Sequence, residues 1–279
     1  MDNTSLEIKL KSLNLKNNPI FAKNDHIKYV QDWRGQYKGD AAAILKPINT
    51  IEVSRILKFA NENKIGVVPQ GGNTSLCGAA TPDDSGTSVV VSFEKMNKVR
   101  QFNKESQTII VESGVVLSQI HDIVEKENLF FPLSLGAQGS CMIGGNLSTN
   151  AGGVNVLKYG NTRELCLGLE VVLPSGKIMN LISELKKDNT GYDLKNLFIG
   201  AEGTLGIITE IQLRLSPIPE SIMSAVCHFP SLEDAVQAAQ QVIQYGVPIA
   251  RIEMLNKEQM DISICSLLSI SIRAIGTPY

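Results

Sequence analysis

Between Pro132 and Gly153 the chain reads PLSLGAQGSCMIGGNLSTNAGG, and no other stretch constrains its fold as strongly. Six of these 22 residues are glycine, and none carries a charge. The apolar positions follow neither the helical nor the strand period, so neither element can be drawn through it. A long run without regular structure inside a compact domain is normally functional or disordered. Disorder does not suit this one, because Leu133, Leu135, Met142, Ile143 and Leu147 call for burial. The physical reading is backbone wrapped closely around something flat or anionic. Glycine permits the approach and positive φ, while Ser, Thr and Asn supply hydrogen bonds. A glycine-rich packing loop is the alternative, and the stretch alone does not choose between them.

Around this run the periodicity predicts both helices and strands. Residues 1–40 are polar, with a short helix expected before Asp32-Trp33-Arg34-Gly35. Ala41 to Leu45 read as a strand, and Thr50 as the cap of a helix with Val53, Ile56, Leu57 and Ala60 on one stripe. That helix is expected to stop near Gly66, and Val67-Val68 to open a second strand, giving a parallel βαβ unit. Ser88 to Phe93 and Thr108 to Glu112 are strand-like, and Leu117, Ile120 and Val124 mark a helix reaching about Asn128. Gly168 to Leu173 and Lys177 to Leu181 flank the turn Pro174-Ser175-Gly176. A strand from Ile207 to Leu215 closes at Ser216-Pro217-Ile218-Pro219, the best boundary in the chain. Beyond it come a strand (Ile222 to Phe229), a helix capped by Ser231 with Asp234 and stopped by Gly246, and a strand from Ile249 to Leu255. The expected divisions are 1–40 (a helical segment), 41–216 (subdomains about 41–80 and 81–216) and 220–279. In Ser263 to Tyr279 no clear pattern is legible.

Charge and composition narrow the chemistry. A formal net charge of −2 with no basic cluster gives no electrostatic reason to propose nucleic acid. His26, His121 and His228 are scattered, and five cysteines without paired spacing suit reduced thiols better than a metal site or disulfide framework. No stretch reaches membrane-span length, and the N-terminus has neither an apolar signal core nor a transit-like bias, so a cytoplasmic location is expected. Two further glycine-rich segments accompany the central one. Gly71-Gly72-Asn73-Thr74-Ser75 follows a strand, so its N–H groups can form an anion-binding nest. Glu202-Gly203-Thr204-Leu205-Gly206 precedes a strand. Each in isolation also reads as a plain turn. Neither GxxxxGK[ST] nor GxGxxG occurs, which disfavours a P-loop or Rossmann site. No Ser/His/Asp set or glycosidase-like carboxylate pair can be assigned. His121, between Ile120 and Asp122, reads as structural or surface. Three converging segments favour a large ligand with phosphates and a planar ring, hence electron or hydride chemistry on a cofactor.

The motifs PQGGNTSL, PLSLGAQGSCMIGGNLSTNAGG, YGNTRELCLGLEVVLPSG and KDNTGYDLKNLFIGAEGTLGIIT, with the early DWRG, resemble the FAD-linked D-2-hydroxyacid dehydrogenases. Within that group they are similar to D-2-hydroxyglutarate and D-lactate dehydrogenases, and glycolate oxidase belongs to the same class. The resemblance runs from about Asp32 to Leu255. It implies a two-subdomain α+β FAD-binding domain of the vanillyl-alcohol oxidase / p-cresol methylhydroxylase type, followed by an incomplete α+β substrate domain. By motif, Pro69, Gly71, Gly72, Asn73, Thr74 and Ser75 are expected to hold the pyrophosphate. Pro132, Gly136, Ala137, Ser140, Cys141, Gly144, Gly145, Asn146, Thr149, Asn150 and Gly153 are expected to line the pyrophosphate and isoalloxazine. Glu202, Gly203, Gly206, Ile207 and Ile208 complete the flavin and adenine enclosure.

The resemblance further implies a small 2-hydroxy acid as substrate, and a quinone or electron-transfer protein as acceptor. No histidine occurs in the three segments, so non-covalent FAD is expected. The family continues well beyond Leu255 into a site with arginine, histidine and a divalent metal, whereas this sequence stops at Tyr279. The expectation is a flavin-binding half, from a fragment, truncated product or frameshifted end, without the catalytic metal and base, and with no metal ligand or catalytic residue assignable. Two rival readings stand beside it. One is a non-catalytic flavin-binding remnant or scaffold. The other is an aldehyde- or phenol-oxidising relative, against which KDNTGYDLKNLF argues by resemblance.

Overall fold

The computed structural model describes residues 3–183, 185, 189–255 and 268–275. Its strands are β1 (Ala43–Leu45), β2 (Val67–Gln70), β3 (Val89–Ser92), β4 (Val99–Asn103), β5 (Thr108–Glu112), β6 (Leu129–Phe130) and β7 (Cys166–Val172). They continue with β8 (Ile178–Leu181), β9 (Ile207–Arg214), β10 (Ser216–Pro217), β11 (Ile222–Phe229), β12 (Ile249–Leu255) and β13 (Leu268–Ile275). The architecture is mixed α+β, as the resemblance implied.

The first layer is a parallel sheet of order β1-β3-β2. The expected βαβ unit is present and parallel, but β3 inserts between its two strands. Val89, Val90 and Val91 are buried on both faces, which is why this run lacks alternation. The crossover helix Thr50–Asn63 buries Val53, Ile56, Leu57 and Ala60, the stripe read from the sequence. Its cap is Asn49 rather than Thr50: the Asn49 side-chain oxygen accepts from the Glu52 N–H at 2.9 Å. Thr50 instead donates its hydroxyl to Glu170 on β7 at 2.6 Å, tying the helix to the second layer. The left-handed stop is Lys64 at φ 55°, not Gly66, and the Lys64 N–H bonds the Ala60 carbonyl.

The second layer is an antiparallel sheet of order β4-β5-β9-β7-β8. The predicted hairpin joins β7 to β8, with Gly176 at φ 82°. Behind this sheet lies the larger core, where Ile109, Val111, Ile211 and Leu213 meet Leu117, Ile120 and Val124 of helix Leu117–Glu125. A second core joins the layers: Val172 and Ile207 of the antiparallel sheet pack with Val53, Ile56, Val89 and Val91 of the parallel unit. Helix Asn3–Ser12, in the N-terminal segment 1–40 that was expected to be helical, inserts Leu6 and Leu10 into that core. The short helix expected before Asp32 is Ile27–Val30. Because β3 belongs to the first sheet, the unit runs past the division expected near residue 80.

After the double proline, β11 and β12 each pair antiparallel with β13 in the order β11-β13-β12. The two predicted strands are therefore not neighbours, and 268–275, where no pattern was legible, supplies the central strand. Residues 263–267 and 276–279 of that tail lie outside those described. Helix Leu232–Gln244 is capped as expected, the Ser231 hydroxyl accepting from the Asp234 N–H at 3.1 Å. Gly246 follows at φ 72°. Among the described residues, no helix is long and apolar enough to cross a membrane.

Candidate cofactor cleft

All three glycine-rich segments meet where the two layers face each other. β2 ends at Gln70, whose buried amide donates to the carbonyls of Tyr29 and Ala80, both at 2.8 Å. The chain then turns through Gly71, Gly72 and Asn73, the last at φ 52°, with the Asn73 amide anchored on the Gln31 carbonyl at 2.7 Å. The Cβ that Gly71 lacks would lie 3.3 Å from Met142 and 3.8 Å from the Gly145 nitrogen, so this loop rests on the central segment.

The central segment is not structureless. Its residues Ile143–Ser148 form a helix, correcting the expectation that none could be drawn there. Long-range hydrogen bonds build it where local periodicity is silent: Ile143 N–H to Val115 carbonyl at 3.0 Å, and Gly144 N–H to Ser113 carbonyl at 2.8 Å. Ile143 and Leu147 are fully buried beneath it. Before the helix, Ala137 to Cys141 make a tight turn in which Ser140 and Cys141 both donate to the Ala137 carbonyl. The third segment closes on the end of this helix. The Gly200 N–H bonds the Leu147 carbonyl at 3.0 Å and the Glu202 N–H bonds the Ser148 carbonyl at 2.8 Å. Glu202 (φ 53°) and Gly203 (φ 80°) then turn the chain into β9, with Gly203 backed against the Pro69 ring.

Together these walls enclose a cleft of about 490 Å³, within the range of small-molecule sites, roughly 300–1,000 Å³. Pro69, Gly71, Gly72, Asn73, Thr74 and Ser75 line it from the first segment. Ala137, Cys141, Gly144, Gly145, Asn146 and Thr149 line it from the second, and Glu202, Gly203, Ile207 and Ile208 from the third. Six expected residues stand outside. Pro132 offers its carbonyl to the Asn155 amide, and Gly153 packs on the Ser134 backbone. Ser140 packs its carbonyl against Gly72, and Asn150 accepts from the Arg163 N–H. Gly206 borders a smaller neighbouring cavity of about 270 Å³, and Gly136 meets no neighbour within 4 Å of its missing Cβ.

The structure adds Phe93, Ser113, Leu135, Met142 and Ser148 to the lining, which sequence reasoning missed. The signal for Ser113 was a Ser-Gly pair directly after β5. Gly114 is required there because a Cβ would strike the carbonyls of Phe93 and Met96.

Glu202 is the one charged side chain among the described lining residues. An anion here is therefore held by N–H groups and neutral dipoles. Burial pushes the Cys141 thiol above its ordinary range and the Cys166 thiol to about 12, so both stay protonated at neutral pH and neither is an activated nucleophile. Two deeply buried polar atoms in the lining, Ser113 Oγ and Asn146 Oδ1, have no hydrogen-bond partner in the protein. Such groups cost about 1–3 kcal/mol each when left unpaired, and a polar ligand in the cleft is one partner that would relieve that cost. Apolar Leu135, Met142, Ile207 and Ile208, neutral donors and unpaired buried atoms together fit a flavin dinucleotide.

His121 has a structural part. Its Nε2–H donates to the Leu133 carbonyl at 2.9 Å, at the head of the central segment. Burial holds its pKa below the ordinary 6.5, against the opposing pull of that carbonyl. The unfolded chain therefore protonates first, so this stabilisation is complete above pH 6.5 and is lost as pH falls through and below it. The thermal midpoint should decline over that window, and His121→Gln, which keeps a donor but cannot titrate, should flatten the decline. An unchanged slope in His121→Gln would assign the pH dependence elsewhere.

Comparison with known proteins agrees with this geometry. Residues 41–182 match the FAD binding domain family, and residues 218–264 match the C-terminal domain of FAD linked oxidases. A D-2-hydroxyglutarate--pyruvate transhydrogenase of Saccharomyces cerevisiae is 45% identical over 203 residues, covering 72% of this chain and 40% of that protein. The mitochondrial D-2-hydroxyglutarate dehydrogenase of Bos taurus is 43% identical over 208 residues, covering 74% of this chain and 38% of its own. The chain thus spans about 40% of the length of these relatives. A solved alkyldihydroxyacetonephosphate synthase superposes with a TM-score of 0.85 at 21% identity, over 99% of this chain and 56% of that one, and shares the fold. With the family match covering the first two of the cleft's three segments and the geometry suited to the ligand, the chain belongs to the FAD-binding family of FAD-linked oxidases, and its cofactor is FAD.

Proposed function

We propose that this protein is the flavin-binding part of an oxidoreductase that converts a small D-2-hydroxy acid, of the D-lactate, D-2-hydroxyglutarate or glycolate class, to the 2-oxo acid. The observation that carries the reading is the cleft assembled from three glycine-rich segments, in a chain whose relatives include enzymes named for D-2-hydroxyglutarate. Bound FAD supplies the acceptor for the hydride of the substrate α-carbon. The task of this chain is to bind and orient. Gly71 to Ser75 offer N–H and hydroxyl donors to the diphosphate, while Ile207, Ile208, Leu135 and Met142 keep water from the apolar part of the cofactor. No described histidine lines the cleft, which supports non-covalent attachment.

Within this proposal, residues 41–216 bind the cofactor, residues 1–40 buttress that unit through Leu6 and Leu10, and 220–279 begin a substrate-binding unit. A quinone or an electron-transfer protein re-oxidises the flavin. A cytoplasmic location stays part of the proposal, beside relatives that are named mitochondrial, and cell fractionation decides it.

Purified protein incubated with FAD should acquire flavin absorbance that survives gel filtration and is released by acid or heat. A folded protein that stays colourless in excess FAD defeats the cofactor reading. Anaerobic mixing of the loaded protein with D-2-hydroxyglutarate, D-lactate and their L-isomers then tests the substrate class. Slow, unselective reduction is expected of a flavin-binding part that lacks the catalytic base, and fast bleaching selective for a D-isomer would show that the substrate site is already present in this chain.

A further inference from the structure

We propose that Arg163, which lies outside the cleft, is the positioning residue that holds two of its walls in register. Arg163 sits in the short helix Thr162–Leu165 and does not line the cavity. Its guanidinium spends its donors on one short segment. Nη1 donates to the Asn196 carbonyl at 2.7 Å and to Asn196 Oδ1 at 3.0 Å, and Nη2 donates to the Ile199 carbonyl at 2.5 Å. Among the described residues it makes no ion pair with a carboxylate.

These acceptors belong to the end of helix Lys195–Phe198, four residues long. A helix this short leaves its terminal carbonyls without internal partners. A planar cationic fork is well suited to gather several of them at once, and a lysine ammonium is not. The third wall of the cleft begins directly after the gathered carbonyls. One residue after Ile199, Gly200 bonds the Leu147 carbonyl, and two residues later Glu202 bonds the Ser148 carbonyl and enters the lining.

The same arginine grips the opposite wall through its backbone. Its N–H donates to Asn150 Oδ1 at 3.0 Å. Asn150 is held at φ 47° just beyond helix Ile143–Ser148 and Thr149, so this bond fixes the end of the central segment. One residue thus bridges both partners of the contact between Leu147–Ser148 and Gly200–Glu202. Phe198 and Ile199 anchor this segment in the larger core, and the fork acts beside that packing by fixing the carbonyls the core does not reach. The inference rests on the FAD reading of the cleft for its functional consequence and on hydrogen bonds alone for the latch itself.

The test compares the full 279-residue chain with Arg163→Ala and Arg163→Lys. Three readouts are taken: FAD dissociation constant, visible circular dichroism per bound flavin, and hydrogen exchange by segment in the apoprotein. For Arg163→Ala we expect FAD to bind at least about tenfold more weakly. The dichroism band should change, and faster exchange should be confined to 147–150 and 195–206. Arg163→Lys should fall between it and wild type. Wild-type affinity and dichroism in Arg163→Ala would overturn the inference, as would exchange that rises uniformly across the fold. If Arg163→Ala does not fold, Arg163→Lys carries the test on the same readouts. A wild-type protein that takes up no FAD defeats the cofactor reading, while the exchange pattern still decides for or against the latch.

Discussion

Gly72→Val is expected to destabilise the protein itself, by about 3 kcal/mol or more, before any question of ligand arises. The Cβ that glycine lacks would land on the Ser140 carbonyl oxygen and lie 3.0 Å from the Cys141 Cα. Both are backbone atoms of a turn held by its own hydrogen bonds and by the Leu117 N–H to Cys141 carbonyl bond at 3.1 Å. A flexible side chain could swing away, but this backbone has nowhere to go. Since Cβ itself makes the clash, Gly72→Ala should act in the same direction. Urea denaturation of the apoprotein measures the effect. A Gly72→Ala midpoint equal to wild type would show that the two segments are not in backbone contact. The motif reading assigned Gly72 to the pyrophosphate; it does line the cleft, but the contact that excludes a side chain is with protein.

Gly145→Val should produce the opposite pattern: nearly unchanged stability and FAD binding weakened on the order of 100-fold, equivalent to about 2.7 kcal/mol. Nothing lies within 4 Å of the position its Cβ would take, its φ is not left-handed, and it lines the cleft. In the helix Ile143–Ser148, replacing glycine with valine is slightly favourable to the backbone, by a few tenths of a kcal/mol. The added isopropyl group therefore has space in the apoprotein and occupies volume that the cofactor needs. Isothermal titration with FAD, paired with apoprotein unfolding, separates the two effects. Unaltered affinity would remove Gly145 from the binding surface, and a large loss of stability would mean that the open space is occupied by protein in solution.

These two glycines look alike in the sequence, and that is the general difficulty. Glycine is demanded wherever backbone must come close, whether the neighbour is a ligand or another loop. Only the neighbour's identity separates the cases, and it lies 68 residues away for Gly72 and Ser140. The same non-locality explains the other departures. Ile143–Ser148 carries two glycines and no clear period, so its helix owes its place to bonds from Ser113 and Val115. β3 could be recognised as a strand from its valines, yet its insertion between β1 and β2 depends on the three-way register of Val89 with Ala43 and Val67. Arg163 stood within YGNTRELCLGLEVVLPSG, but nothing local marked its role, since an arginine that binds carbonyls leaves no spacing pattern behind.

What the amino-acid sequence determined by itself was local chemistry. β-branched runs made strands, the Val53/Ile56/Leu57/Ala60 stripe made a helix, Pro174-Ser175-Gly176 made a hairpin turn, and three glycine-rich segments without a lysine or arginine announced a site. All of these arise from backbone sterics and hydrophobic periodicity, which act over a few residues. The tertiary structure alone decided which segments touch, which expected residues line the cleft and which pack behind it, and that Ser113 and Asn146 are left buried with unpaired atoms. Those outcomes depend on how two layers settle against each other through Val172 and Ile207, a contact between residues far apart in the chain that no local pattern encodes.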